Sequence, residues 1–189
     1  IEKINIFGNN ITSERVVRNQ LISDEGDPFN EILFNKSINN IKARGLFKKV
    51  NTKVITDNDK MTKVIDINLE EKPTGEIFAG AGTGTSGSSL SFGISENNYL
   101  GEGVKLGADV EITSKSFEGR LFINEPNYKN SNKSFNRSFE RSEDDKLSKF
   151  GYKTSKTGFS LGTYYEQYKD IYFTPNLSNY YETIETNNL

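Results

Sequence analysis

The apolar residues of this chain change their spacing once, at Pro73. Upstream, two segments repeat every three or four residues; downstream, nearly every apolar residue sits two positions from the next. A repeat near 3.6 makes a helix with one buried face, and a repeat of two makes a strand with one. A chain that switches once and does not switch back folds as two parts of different class. The expectation is a small α+β module over residues 1–73 and a run of long antiparallel strands over 74–189. The length of 189 residues fits one or two domains.

In the first part Ile4 and Ile6 alternate with Lys3 and Asn5 before Gly8-Asn9-Asn10, a short strand ending in a turn. Thr12 is placed to cap a helix over 13–21, with Val16, Val17 and Leu21 on its apolar face. A second helix is expected from about Asn30, with Phe34, Ile38 and Ile41 in register and Gly45 at its end. Leu46 and Phe47 then plug the core. Val50, Thr52 and Val54 alternate, Asp57-Asn58-Asp59 turns, and Ile65, Ile67 and Leu69 alternate again. The predicted order is β-α-α-β-β. Basic and acidic residues nearly balance here, so no electrostatic partner is indicated.

In the second part Leu90, Phe92 and Ile94 alternate with small polar residues. Val104, Leu106, Ala108, Val110 and Ile112 alternate with Lys105, Gly107, Asp109 and Glu111. Phe117 to Ile123 and Phe159 to Tyr165 continue the scheme, and Asn97-Asn98, Gly101-Glu102-Gly103 and Glu125-Pro126-Asn127 read as turns. Two architectures share this pattern, a soluble β-sandwich and a transmembrane barrel. Small or charged residues opposite the apolar face suit a wet lumen. Tyr99, Tyr128, Tyr164, Tyr165, Tyr172 and Phe173 lie near strand ends, as interfacial aromatics do. Mean hydropathy of −0.66 does not oppose a barrel, because only every second residue faces lipid.

The chain has no Cys and no His, which removes thiolate and imidazole chemistry, disulfides, histidine triads and Cys/His zinc sites. A pI near 5.4 without a basic stripe argues against nucleic acid as a partner. No stretch approaches the roughly 18 apolar residues of a spanning helix, and no signal-peptide pattern opens the chain. Gly82-Thr83-Gly84-Thr85-Ser86-Gly87 fits G-x-G-x-x-G, but residues 88–95 alternate as a strand where a dinucleotide fingerprint needs a helix. The adjacent carboxylates Glu70-Glu71 and Asp144-Asp145 read as solvated loops, not as positioned acids or bases. No enzyme, cofactor or metal is expected.

The module with Gly8-Asn9 after its first strand and Gly45-Leu46-Phe47 before Val50 resembles a POTRA domain. The Gly-rich strand, then Asn98-Tyr99-Leu100-Gly101-Glu102-Gly103, Leu121-Phe122-Ile123-Asn124-Glu125-Pro126-Asn127-Tyr128 and Gly158-Phe159-Ser160-Leu161-Gly162, resemble the barrel of the BamA family of outer-membrane protein assembly factors. The resemblance covers nearly the whole chain and is weakest over 129–156. It implies the membrane-proximal POTRA domain plus about five or six strands of an incomplete transmembrane barrel. It also implies a fragment, because 74–189 is too short to close such a barrel at about ten residues per strand. The polar end Glu185-Thr186-Asn187-Asn188-Leu189 is unlike the terminal aromatic of that family.

The function the resemblance implies is insertion of β-barrel proteins into the outer membrane of a Gram-negative bacterium, with the POTRA domain in the periplasm and no ATP. Client strands would pair with a seam strand, Glu76-Ile77-Phe78-Ala79-Gly80-Ala81-Gly82, whose glycines leave an edge held mainly by its backbone. Unfolded outer-membrane proteins would also add to a POTRA edge strand, Val50-Asn51-Thr52-Lys53-Val54-Ile55. Accessory assembly lipoproteins would be partners, with Glu25 a candidate contact that also reads as an exposed turn residue; outer-membrane lipid is the third partner. Alternatives are a two-partner-secretion-type translocator of the same superfamily and a soluble β-rich adhesin or binding module.

Overall fold

The computed structural model describes residues 1–84 and 87–186. It divides into two compact units, one of residues 1–74 with 97–103, the other of residues 75–96 with 104–189.

The first unit opens with strand β1 (Lys3–Phe7) and helix α1 (Glu14–Arg18), followed by helix α2 (Glu31–Ala43) and strands β2 (Phe47–Asp57) and β3 (Thr62–Glu71). The sheet order is β1-β3-β2, with β1 parallel and β2 antiparallel to the central β3. Alternation puts Ile65, Ile67 and Leu69 on one face of β3, all buried against Ile4, Val16, Val17, Ile38 and Ile41. Leu46 and Phe47 close the same core. The Asn30 side chain accepts from the Ile32 and Leu33 N–H groups and starts α2. Gly45, at φ +69°, follows its end.

Helix α1 is shorter than the spacing predicts, because Gln20 and Leu21 bond back to Val17 and Arg18 in i→i+3 steps that tighten and end it. Nor does Thr12 cap it. Ser13 holds the N-cap position without a side-chain bond, and Thr12 is buried with its hydroxyl turned to Asn98.

The second unit is an antiparallel sheet of β4 (Gly75–Gly84), β5 (Gly87–Tyr99), β6 (Val104–Thr113), β7 (Ser116–Glu125), β8 (Ser134–Lys146), β9 (Tyr152–Tyr168), β10 (Ile171–Phe173) and β11 (Asn176–Thr186). A short helix α3 (Leu147–Phe150) lies between β8 and β9. The strands follow in sequence order from β4 to β9, and β10 and β11 both pair with β9, so they share the next position. The sheet is open.

Register places Ile77 opposite Ile94 and Ala79 opposite Phe92, then Leu106 opposite Ile123 and Ala108, Leu121, Phe139 and Phe159 in one cross-strand row. This face is exposed, with Ile77 at 83% and Leu177 at 65%. The opposite face of β6–β11 carries Asp109, Arg120, Glu140 and serines 138, 160 and 178. An apolar face left exposed opposite a polar one is the reverse of a water-soluble sheet, which buries its apolar face.

Three sequence expectations change in this unit. Asn97 and Asn98 are the end of β5, and the turn begins at Leu100. The stretch 134–146 is a full strand although it carries few apolar residues, and with it and the shared β10–β11 position the described sheet has seven strand positions where five or six strands are expected. Asp144 and Asp145 therefore stand in β8, where Asp144 pairs with Lys146 at 2.6 Å. Of the G-x-G-x-x-G stretch, Thr85 and Ser86 lie outside the described residues; Gly82 to Gly84 end β4 and Gly87 begins β5, so no helix follows the glycines.

Candidate functional site at two free sheet edges

Residues Glu76, Ile77, Phe78, Ala79, Gly80, Ala81 and Gly82 all lie in β4, the last strand of its sheet. Among the described residues β4 pairs with β5 alone, and every β4 position is exposed. One row of backbone donors and acceptors is thus left without a neighbouring strand. A side chain at Gly80 would stand 2.7 Å from the Ser91 hydroxyl. The absence of one lets β4 and β5 lie together without interlocking side chains there.

Residues Val50, Asn51, Thr52, Lys53, Val54 and Ile55 lie in β2, an edge of the first unit's sheet. Most of β2 is exposed. Lys48 and Lys49 straddle Glu70 on β3 at 2.9 and 3.1 Å, and their hydrogen bonds hold its carboxyl below the usual range. Lysines on an edge discourage indiscriminate pairing while leaving the backbone available.

Glu25 is at the other side of this sheet. Its Oε1 accepts from the Ile4 N–H at 2.9 Å and lies 3.6 Å from Arg18, so the carboxylate ties the turn after α1 to strand β1. The turn reading missed this structural work. The first unit therefore does not bring Glu25 and the β2 edge together.

A buried polar node escaped sequence reasoning. Asn98 Nδ2 donates to Thr12 Oγ1 at 2.9 Å, and Asn98 Oδ1 accepts from the Gly103 N–H at 2.8 Å. The Ser13 N–H donates to the Gly101 carbonyl at 2.8 Å, Arg44 Nη2 donates to the Gly103 carbonyl at 2.8 Å, and Arg15 pairs with Glu102. A Cβ on Gly101, at φ +75°, would stand 2.0 Å from the Ile11 carbonyl oxygen. Residues 97–103 thus complete the first unit. The signal was present in Leu100-Gly101-Glu102-Gly103, three of whose residues adopt positive φ, but spacing could not say what the turn packs on.

Glu71 is not a solvated loop residue either. Its two carboxylate oxygens accept from the Ile11 and Thr12 N–H groups at 3.0 and 2.7 Å. Burial acts to raise its pKa, but hydrogen bonds from Thr12, Ile11 and Asn10 outweigh it and hold it below 4.5. A carboxyl depressed on folding stabilises fully above its unfolded pKa, and that contribution is lost as pH falls through the folded value. The first unit is expected to weaken as pH drops below about 4.5, and Glu71→Gln should flatten that loss. Urea midpoints measured from neutral pH downward check it; parallel curves for the two proteins would refute the assignment.

Comparison with known proteins places these features. Residues 1–72 match the POTRA family, described as a surface antigen variable number repeat. The outer membrane protein assembly factor BamA of Neisseria meningitidis serogroup B is 27% identical over 128 residues, 67% of this chain and 16% of that protein. The same factor of Neorickettsia risticii is 28% identical over 117 residues, 60% of this chain and 15% of its own length. In three dimensions the chain is similar to BamA from Haemophilus ducreyi lacking POTRA domains 1–3, with a TM-score of 0.84 and 22% identity over 98% of this chain and 36% of that one. CdiB from Escherichia coli shares the fold at a TM-score of 0.67 and 12% identity, covering 100% of this chain and 38% of its own. The chain spans 16% or less of the length of these curated relatives. Residues 1–72 carry a POTRA domain, and the chain as a whole is similar to the assembly factor BamA and shares the fold of its POTRA-plus-barrel structure.

Proposed function

We propose that this chain is the part of an outer-membrane protein assembly factor that offers strand edges to unfolded outer-membrane proteins. It sits in the outer membrane of a Gram-negative bacterium with its POTRA domain in the periplasm. The observation that carries the reading is β4, a terminal strand that pairs on one side only among the described residues and is free of interlocking side chains at Gly80. A client strand adds to that edge through backbone hydrogen bonds, exchanging bonds to water or to a weak seam for bonds to the client. The exchange is close to isoenergetic, so no ATP, cofactor, metal or catalytic group is invoked.

The β2 edge of the POTRA domain captures clients by the same augmentation, its lysines limiting self-association. Accessory lipoproteins dock near Glu25, on the β1 side, so client capture and accessory docking use opposite edges of one sheet. The exposed apolar face of the second sheet favours lipid over water and disfavours a soluble adhesin.

Site-directed crosslinking tests the seam. In proteoliposomes holding the full-length protein, Ala79→Cys in β4 should form disulfides with a cysteine in the terminal strand of an unfolded barrel client. Val110→Cys, inside the sheet on β6, should not. Equal crosslinking at the two positions would sink the seam assignment.

A further inference from the structure

At one end of the apolar face of β7–β9, rings and cations gather into a compact group. Register sets Ile123, Arg137, Leu161 and Leu177 in one cross-strand row, and Glu125, Phe135 and Thr163 in the next toward the β7–β8 connection. The Arg137 guanidinium lies 4.9 Å from the centre of the Phe135 ring, and Phe135 packs on Tyr128 at 5.1 Å. Lys129 reaches over Tyr128 at 5.3 Å, and Lys133 over Tyr165 at 4.6 Å, with Phe173 edge-on to Tyr165.

The cations of this group outnumber the carboxylates that pair with them among the described residues. Glu125 takes Arg137 Nη2 at 2.9 Å, while Arg137 Nε is buried without a hydrogen-bond partner. Lys129 and Lys133 form no ion pair among the described residues. At the far end of the same strands Arg141 and Lys153 both meet Glu143 and Lys146 meets Asp144, while Lys115 and Lys149 form no ion pair among the described residues. At the β7–β8 end the unpaired charge is that of Lys129 and Lys133. It sits on aromatic rings at the border of an exposed apolar surface, which is where amphipathic side chains meet lipid headgroups.

We propose that this rim binds the phosphate of an anionic phospholipid, with Lys129, Lys133 and Arg137 around the headgroup and the acyl chains along Ile123, Leu161 and Leu177. The inference rests on the outer-membrane reading above. Charge complementarity selects the occupant: a zwitterionic headgroup carries its own cation, whereas an anionic one offsets the surplus. The rings hold the cations over the surface without neutralising them.

Native mass spectrometry of the protein in detergent, titrated with phosphatidylglycerol or phosphatidylcholine, tests this directly. The wild type should retain phosphatidylglycerol preferentially, and Lys133→Gln/Arg137→Gln should lower that affinity by at least about tenfold. Arg137 has a structural partner in Glu125, so Lys129→Gln/Lys133→Gln, confined to exposed side chains, serves as a second variant expected to lose a similar factor. Lys153→Gln/Lys156→Gln removes equal charge elsewhere on β9 and should change nothing. Retention by all variants alike, or an equal loss in the β9 control, overturns the headgroup site. Flotation of the wild type with phosphatidylethanolamine–phosphatidylglycerol vesicles separates the two readings. A protein that never floats overturns the membrane assignment itself, while one that floats but shows no difference among variants overturns the rim alone.

Discussion

Gly8→Ala is expected to destabilise the POTRA domain by about 3 kcal/mol. Gly8 has φ +84°, and a Cβ there would stand 2.0 Å from the Leu69 carbonyl oxygen. The left-handed conformation alone costs a non-glycine residue about 1–2 kcal/mol. The remainder comes from the clash, which involves backbone and cannot be relieved by rotating a side chain. Relief requires the end of β1 to move away from β3, where Phe7 pairs with Asn68. Gly26 and Gly45 supply the control: both have positive φ, yet nothing lies within 4 Å of a Cβ at either. Alanine there should cost only about 1 kcal/mol. Hydrogen exchange of the β3 amides in the intact protein reads the local opening energy. Equal effects at Gly8 and Gly45 would show that conformation, not contact, accounts for the whole penalty.

Ile67→Ala should cost more, about 3–5 kcal/mol. Ile67 is 0% exposed and stands in the middle of the central strand, with Thr52 opposite it on β2 and Ile6 on β1. A unit of this size has a total stability of roughly 4–12 kcal/mol at 0.05–0.15 kcal/mol per residue. One truncated methyl cluster therefore removes a large share of it. The consequence reaches the proposed function, because among the described residues β2 pairs with β3 alone and the proposed capture edge exists only while β3 is ordered. Ile67→Val, which removes one methyl, should cost about 1 kcal/mol and leave client capture intact. A loss below 1 kcal/mol for the alanine variant, measured by the same exchange, would mean that the core collapses around the gap.

Much of this organisation was legible because it is local. Ile65, Ile67 and Leu69 alternate in sequence and are buried together in the structure, and the glycine of Gly45-Leu46-Phe47 ends α2 with the positive φ its position suggested. The residues of β4, β6 and β7 carry a repeat of two that no helix accommodates. Strand β8 has only Phe135 and Phe139 on its apolar row, beside Arg137 and Arg141. Its neighbours β7 and β9 supply the hydrogen bonds that make it a strand, and no count of its own apolar residues reveals them.

The candidate site divides in the same way. That β4 and β2 are strands followed from alternation and glycine content; that both are edges did not, since pairing order is a property of the whole sheet. Glu25, Glu71, Thr12 and Asn98 look alike in sequence, as polar residues beside turns. Their roles differ because of partners 21, 59 and 86 positions away: Ile4 for Glu25, Thr12 for Glu71, and Thr12 again for Asn98.

The sequence by itself determined the class of each part and, for the strands that alternate, which side carries the apolar residues, because side-chain period acts within a few residues and is written there. Among the described residues, only the tertiary structure decided which strands end their sheets, which polar groups are buried, and which lysines stand outside ion pairs. Those depend on hydrogen bonds and ion pairs between residues far apart in the chain, and their energies are realised only when folding brings both partners out of water together.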